Sequence, residues 1–194
     1  MASGPIFGPD IVIEDPAFIH ATACLYGRIR IARGVGIWPN AVCRAEAGEI
    51  VIGEMSNIQD MAVIHGGGVR IGHYCSITHH AVIHACTIGD NCLVGINATV
   101  MDRAVIGDNS IVAGGAFVIE DTNIPPNSIV MGSPGKVRRQ HNNYVVNRMN
   151  AILYHCNALA YAKGEYREWS KPEHREFMEE TRARLEREYQ ELFS

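Results

Sequence analysis

The sequence predicts an all-β repeat fold, a left-handed parallel β-helix of hexapeptide repeats with C-terminal α-helices. Three observations predict it. Aliphatic residues recur every six positions at Val94, Val100, Ile106, Val112, Val118, Ile124 and Val130. Small residues stand four places after the earlier ones, at Ala98, Ala104, Ser110, Ala116, Thr122 and Ser128. Beyond Gly132 the period is lost and a charge-rich, helical character replaces it. A period of six fits neither the roughly 3.6 of a helix nor the alternation of a simple strand, so each hexad reads as a short strand plus a tight corner. Three hexads make one triangular coil of about 18 residues, as in parallel β-helix solenoids. The aliphatic residue points into the prism, and the small one fits the crowded corner.

In chain order, the extreme N-terminus is expected to cap the open end of the prism. The repeat is loose at Ile31, Ile37 and Cys43, then firm at Ile52, Ile58 and Ile64. It slips by one place to Ile71 and Ile77 and slips back between Val82 and Ile88, and each slip should mark a bulge or loop beside a histidine. The prism is assigned to residues 1–140 and the helices to 141–194. A first helix is expected from about Asn142 to Tyr166. A second runs from Lys171 to Leu192, with Ser170 and Pro172 as its start signals. Their expected role is to flank the prism and protect strand edges.

A chain of 194 residues with a net charge of −4 and no basic stripe is not expected to bind nucleic acid. No charged segment precedes a long apolar run, and no stretch approaches the roughly 18 apolar residues of a membrane span, so the expectation is a soluble, cytoplasmic protein with no membrane partner. The six cysteines include no C-x-x-C pair and are expected to be buried apolar thiols rather than disulfides or a zinc ribbon.

Nine histidines matter only where the coils bring them together. His65 and His84 are 19 apart, which places them on one face of successive coils about 4.8 Å from each other. His79 is nearly one side of the triangle away and should project from a different face. It can join the pair only from a second copy, and a ring of three prisms closes such a contact cyclically, giving a homotrimer with three shared sites. Three neutral imidazoles suit Zn²⁺, with Fe²⁺ or Co²⁺ also accommodated, and leave a fourth position for water. Glu46 stands 19 before His65, and Asp60 stands 19 before His79. One face therefore offers Gln59, Asp60 and His79, the other Glu46, His65 and His84. His73 and His80 are open to a functional role; His20, His141, His155 and His174 are expected at the surface.

Arg44-Ala45-Glu46, Asn57-Ile58-Gln59-Asp60, His65, the run from His79 to Cys86, the segment Val94 to Ala98, and Gly132 to Lys136 resemble successive motifs of the γ-class carbonic anhydrase-like family over about residues 10 to 140. The resemblance implies that His65 and His84 ligate a metal from one subunit and His79 from its neighbour. It also implies that Gln59 hydrogen-bonds the metal-bound water, that Asp60 and Arg44 form an intersubunit network, and that Asn57 orients it. The sequence departs from the family pattern in three ways. Glu46 replaces the usual Asp, the acidic proton-shuttle loop is absent between His65 and His79, and His80 and Asn97 replace small residues. A tyrosine of the first helix, Tyr144, Tyr154 or Tyr161, is placed near the pocket. The reading is a metal-dependent enzyme whose His₃-bound metal hydroxide attacks a small electrophilic carbon, with carbon dioxide as the family's default substrate. The alternatives are an acyl-CoA thioesterase or other metal-dependent hydrolase of the same family, a hexapeptide acyltransferase, and a non-enzymatic trimeric scaffold with a structural metal.

Overall fold

A computed structural model describes residues 10–193. The expected N-terminal cap falls largely on residues 1–9 and so outside the described residues. The chain winds into a left-handed parallel β-helix whose three faces are built from stacked short strands. The first face carries Phe18–Ile19, Gly36–Ile37, Asn57–Ile58, Ser76–Ile77, Leu93–Val94, Ile111–Val112 and Ser128–Met131. The second carries Val63–His65, Val82–His84, Thr99–Val100 and Phe117–Val118; the third carries Ile11–Ile13, Val69–Ile71, Thr87–Ile88, Val105–Ile106 and Asn123–Ile124. Two long strands, Cys24–Ile31 and Val42–Ile52, bend around the corner between the second and third faces and belong to both.

Stacking in register explains the six-residue period. Each coil delivers one aliphatic side chain per face to the prism axis, and Ile37, Ile58, Ile77, Val94, Val112 and Val130 form one such column. From Ala23 to Val130 the inward residues are 0–4% exposed, including the loosely patterned Ile31, Ile37 and Cys43, while Ile11, Ile13 and Ile19 at the lower end are partly buried. Each fully buried aliphatic side chain stabilises by about 1.5–3 kcal/mol, enough in aggregate to hold strands only two or three residues long. The corners need a left-handed residue, and Asn40, Asn91, Asn97, Asn109 and Asn127 supply it at φ of 54 to 59°, where asparagine is among the tolerated residues.

Both slips in the period lie at one corner, between the second and third faces. The step from second-face to third-face core residue is Cys43 to Ile52, Ile64 to Ile71 and Ile83 to Ile88 in consecutive coils, before the regular step resumes at Val100 to Ile106. The irregular corner directly follows Arg44, His65 and His84, so the chain leaves the repeat where it carries these side chains.

The upper end is closed by Lys136–Gln140, which turns back antiparallel onto Ser128–Met131. The first helix, α1, spans Tyr144–Tyr161 and ends short of the expected Tyr166, because the chain turns at Ala162–Lys163 and runs into a short 3-10 turn, Glu168–Ser170. The second helix, α2, spans Pro172–Phe193, with Pro172 at its first position. α1 lies along the first face, where Ala158, Tyr154 and Tyr161 meet Phe18 and Trp38. Asn147 donates to the carbonyls of Asn91 and Ser110, and Asn91 donates to Tyr144, which fixes the helix to the corner asparagines. α2 packs on α1 through Tyr144, Ile152 and Leu185. Neither helix is long and apolar enough to cross a membrane.

Two expectations need correction. His174 is 7% exposed rather than at the surface, because α2 turns it toward the 3-10 turn, with Nδ1 3.6 Å from Glu168. His155 is half-buried and its Nδ1 faces the Gly34 carbonyl at 3.0 Å. Cys43, Cys75, Cys86 and Cys92 are buried free thiols as expected, but Cys24 and Cys156 are only half-buried, since neither points down the prism axis.

Candidate metal centre

The second face carries a column of outward side chains in which Tyr26, Arg44, His65 and His84 occupy one register position on four successive coils. His65 Nδ1 faces His84 Nε2 at 3.1 Å. The outer nitrogens of the two rings meet carboxylates: His65 Nε2 is 3.3 Å from Glu46, and His84 Nδ1 contacts Asp102. Glu46 also pairs with Arg44. Although slight desolvation would raise the Glu46 carboxyl, its own backbone N–H, the Arg44 guanidinium and His65 hold it below the ordinary carboxylate range.

With both rings neutral, these contacts favour one tautomer of each. An ionised carboxylate only accepts, so each outer nitrogen carries the proton and each inner nitrogen of a neutral ring presents a lone pair. Two lone pairs aimed at each other across 3.1 Å repel unless a proton or a cation is shared between them. Ligand nitrogens about 2.0–2.1 Å from a tetrahedral ion are about 3.3–3.4 Å apart, within a few tenths of an ångström of the observed separation.

His79 lies at the corner between the first and second faces, in register above Asp60. Its Nδ1 is 3.0 Å from Asp60 Oδ2, which leaves the Nε2 lone pair outward, where the Tyr154 hydroxyl meets it at 3.3 Å. Burial, with the charge of Asp60, pushes the Tyr154 phenol up to about 12, so this hydroxyl is a donor at neutral pH. Asn57 and Gln59 are almost fully buried under α1; Gln59 Nε2 donates to Asn57 Oδ1 at 2.9 Å, and Asn57 Nδ2 donates to Ser76 at 3.0 Å. Asn57 thus fixes the amide of Gln59, one residue before Asp60.

The structure brings Arg44, Glu46, His65 and His84 together on one face, and Asn57, Gln59, Asp60 and His79 on the other. It does not bring the two sets together, and Arg44 and Asp60 do not pair within one chain. Among the described residues, no three His, Cys, Asp or Glu side chains converge to hold an ion in a single protomer. The donor set still fits a divalent metal, because each of the three histidines has one nitrogen anchored by a carboxylate, the arrangement that orients imidazole ligands, and turns the other toward its neighbouring ring or, for His79, the Tyr154 hydroxyl, both of which an ion could displace. His73 is at the far corner, where it accepts from the Glu54 backbone N–H at 3.0 Å and so ties successive coils. His80 is exposed beside His79 at φ +58°. Asp102 and the reach of Tyr154 to His79 were not singled out by the sequence; for Asp102 the available signal was its position one 18-residue coil beyond His84.

A model of the family described as bacterial transferase hexapeptide (six repeats) matches residues 85–120. Over 144 residues the chain is 46% identical to a protein of Methanocaldococcus jannaschii named probable carbonic anhydrase, covering 73% of this chain and 87% of that one. The chain belongs to the γ-class carbonic anhydrase-like family of hexapeptide-repeat proteins. This γ-carbonic anhydrase-like chain is also 32% identical over 160 residues to the carnitine operon protein CaiE of Salmonella agona, covering 76% of this chain and 77% of that one. With CaiE of Escherichia coli K12 it shares 37% identity over 97 residues, 48% of this chain and 50% of the other. Among solved structures, a hexapeptide transferase family protein from Anaplasma phagocytophilum superposes with a TM-score of 0.67 at 29% identity, over 82% of this chain and 92% of that one. The N-acyltransferase AntD of Bacillus cereus, at 18% identity and a TM-score of 0.64, shares the fold over 74% of this chain and 90% of its own.

Proposed function

We propose that this chain is a homotrimeric metalloenzyme that hydrates carbon dioxide or hydrolyses a small carbonyl substrate. His65 and His84 of one protomer and His79 of its neighbour would hold Zn²⁺, or Fe²⁺ or Co²⁺ in its place. The observation that carries the reading is that His65 Nδ1 and His84 Nε2 face each other at 3.1 Å while each ring turns its outer nitrogen to a carboxylate. When bound, a divalent ion with three protein ligands acts as a Lewis acid that makes water nucleophilic near neutral pH. Gln59 orients the reacting water or substrate oxygen through its amide, held by Asn57. Asp60 keeps the His79 lone pair outward, and the Tyr154 phenol that meets it in the single protomer would give way to the ion and remain as a nearby donor. Arg44 keeps Glu46 ionised against His65.

The surface supports self-association through these two columns. Ile96, 51% exposed, sits one coil above His79, and Met101 followed by Ile119, 50% exposed, continues the column above His84. Exposed apolar residues contiguous with both half-sites mark a surface that binds a partner. Because the half-sites lie on different faces, the contact is heterologous and closes as a ring.

A second reading, hydrolysis of a larger acyl ester or thioester, is favoured by Trp169. This half-exposed ring packs edge-on against Tyr154 at 5.4 Å and extends the wall beside His79 with apolar surface that carbon dioxide does not need.

The test is complementation. His79→Ala and His84→Ala each abolish tight zinc binding and stopped-flow carbon dioxide hydration when purified alone. Unfolding and reassembling an equal mixture restores about one quarter of the sites, because a site is whole wherever an intact pair meets an intact His79 in a ring. No recovery of zinc in a mixture that reforms trimers would refute the shared site. Recovered zinc without hydration would move the activity to acyl esters and thioesters.

A further inference from the structure

The sequence motifs leave one contact of the centre unaccounted for: the carboxylate on the outer nitrogen of His84. We infer that Asp102 is a positioning residue for the metal centre, one that fixes the tautomer and ring orientation of His84 so that Nε2 is presented to the ion. This rests on the proposed function above.

The geometry comes from the coil above the histidines. Ile83 pairs with Val100, so Met101 lies over His84 and Asp102 is the first corner residue beyond it, with its side chain turned down onto Nδ1. Glu46 holds the His65 ring from the coil below. The two carboxylates therefore bracket the pair from opposite ends, Glu46 to His65 to His84 to Asp102, and both inner nitrogens are left to share one occupant.

Asp102 is not occupied by its neighbouring cation. Arg103 directs its guanidinium to the next coil, where Nε and Nη2 lie 2.6 and 2.8 Å from the Asp121 carboxylate, with Glu120 at 3.8 Å. Asp102 is thus available to His84. Both side chains are about 30% exposed, at the rim where a second protomer would close over them. Without Asp102, His84 would be free to carry its proton on Nε2, the more common neutral form, and the ring could rotate away from His65. Each outcome removes one lone pair from the site.

The experiment compares wild type, Asp102→Ala, Asp102→Asn and, as a control, Asp121→Asn, which loosens the adjacent Arg103 but leaves His84 alone. Zinc affinity is measured by competition with a chromogenic chelator, the cobalt-substituted proteins are compared by visible absorption, and the His84 tautomer is read in the metal-free proteins by long-range proton–nitrogen correlation. Asp102→Ala should weaken zinc binding by about 10–100-fold, with a changed cobalt spectrum and His84 shifted toward the Nε2–H form. Asp102→Asn, which is close in shape and retains an accepting oxygen, should fall between, and Asp121→Asn should match wild type. Wild-type affinity and an unchanged tautomer in a folded Asp102→Ala would overturn the inference and leave the proposed function standing. A wild-type protein that binds no transition-metal ion would overturn the proposed function itself. Equal losses in Asp102→Ala and Asp121→Asn would assign Asp102 to the stability of the corner instead.

Discussion

The three glycines after His65 offer a graded test of how the irregular corner holds the centre. Gly66 has φ +115° and its missing Cβ would lie 2.8 Å from Ala85 Cβ and 2.9 Å from Ala85 N. Gly68 has φ +138° but open space around a Cβ, while Gly67 has an ordinary backbone and its nearest neighbour, the Ala47 carbonyl, at 3.4 Å. Alanine at position 67 therefore changes little, and its smaller unfolded-state entropy could raise stability by about 0.4–1 kcal/mol. Gly68→Ala adds backbone strain alone, about 1–3 kcal/mol. Gly66→Ala adds that strain plus an overlap with the corner following His84, a further 1–3 kcal/mol or so by analogy with overpacked cores. For a chain of this size each kcal/mol moves the melting temperature by about 2–4 °C, so the order of melting temperatures should be Gly67→Ala, Gly68→Ala, then Gly66→Ala at the bottom. The assay is denaturant and thermal unfolding of metal-free protein at one fixed protomer concentration, followed by zinc titration. Since only Gly66→Ala separates the His65 coil from the His84 coil, it alone should also weaken zinc. Equal destabilisation by Gly66→Ala and Gly68→Ala, or a zinc defect in Gly68→Ala, would refute the reasoning.

Gln59→Ala should keep its zinc and lose most of its turnover, checked by metal content and steady-state rates on one preparation; full activity would remove Gln59 from the mechanism. Tyr154→Phe loses one hydroxyl contact to His79 and should cost about 0.5–1.5 kcal/mol in denaturant unfolding of the metal-free protein, while zinc binding, for which that nitrogen must be vacated, is not weakened. Under native conditions near neutral pH a thiol reagent should label Cys24 and Cys156 but spare Cys43, Cys75, Cys86 and Cys92, whereas denaturant should expose six thiols. Burial pushes the Cys43 thiol up to about 12, above its unfolded value of about 8.5. Its neutral form therefore contributes stability that is fully present below that lower value and lost as pH rises toward the upper one, so Cys43→Ala should flatten the alkaline fall in stability.

The prism was legible because its signal is local and repeated. One aliphatic residue per hexad is what a parallel stack demands, and the phase slips at Ile71 and Ile88 mark real irregular corners. The pairing of His65 with His84, of Glu46 with His65 and of Asp60 with His79 followed from counting coils, because register in a solenoid is a sequence separation. Asp102 obeys the same arithmetic but reads as an ordinary polar corner residue, and nothing in its own hexad points at His84 below. Tyr154 and His174 lie outside the repeat. What a helical residue touches depends on how α1 docks on Trp38 and how the 3-10 turn carries Glu168 back, and neither leaves a period in the sequence.

The separation of the two half-sites follows from the fold rather than from any one residue. Outward side chains of a triangular prism diverge from face to face, and the strands are locked in register by an axis packed with isoleucine and valine, so no modest rearrangement brings His79 to His65 and His84. A bend large enough to do so would break the column through Ile58, Ile64, Ile77 and Ile83, each 0% exposed, and opening even one such position costs about 2–5 kcal/mol when it is truncated to alanine. Association of rigid prisms avoids that cost, since it can place the divergent face of one copy against the divergent face of the next. A three-histidine centre on this scaffold is thus a property of an assembly. In the proposed assembly the carboxylates Glu46, Asp60 and Asp102 would have the complementary role of keeping each half-site in its ligating tautomer before the ring closes.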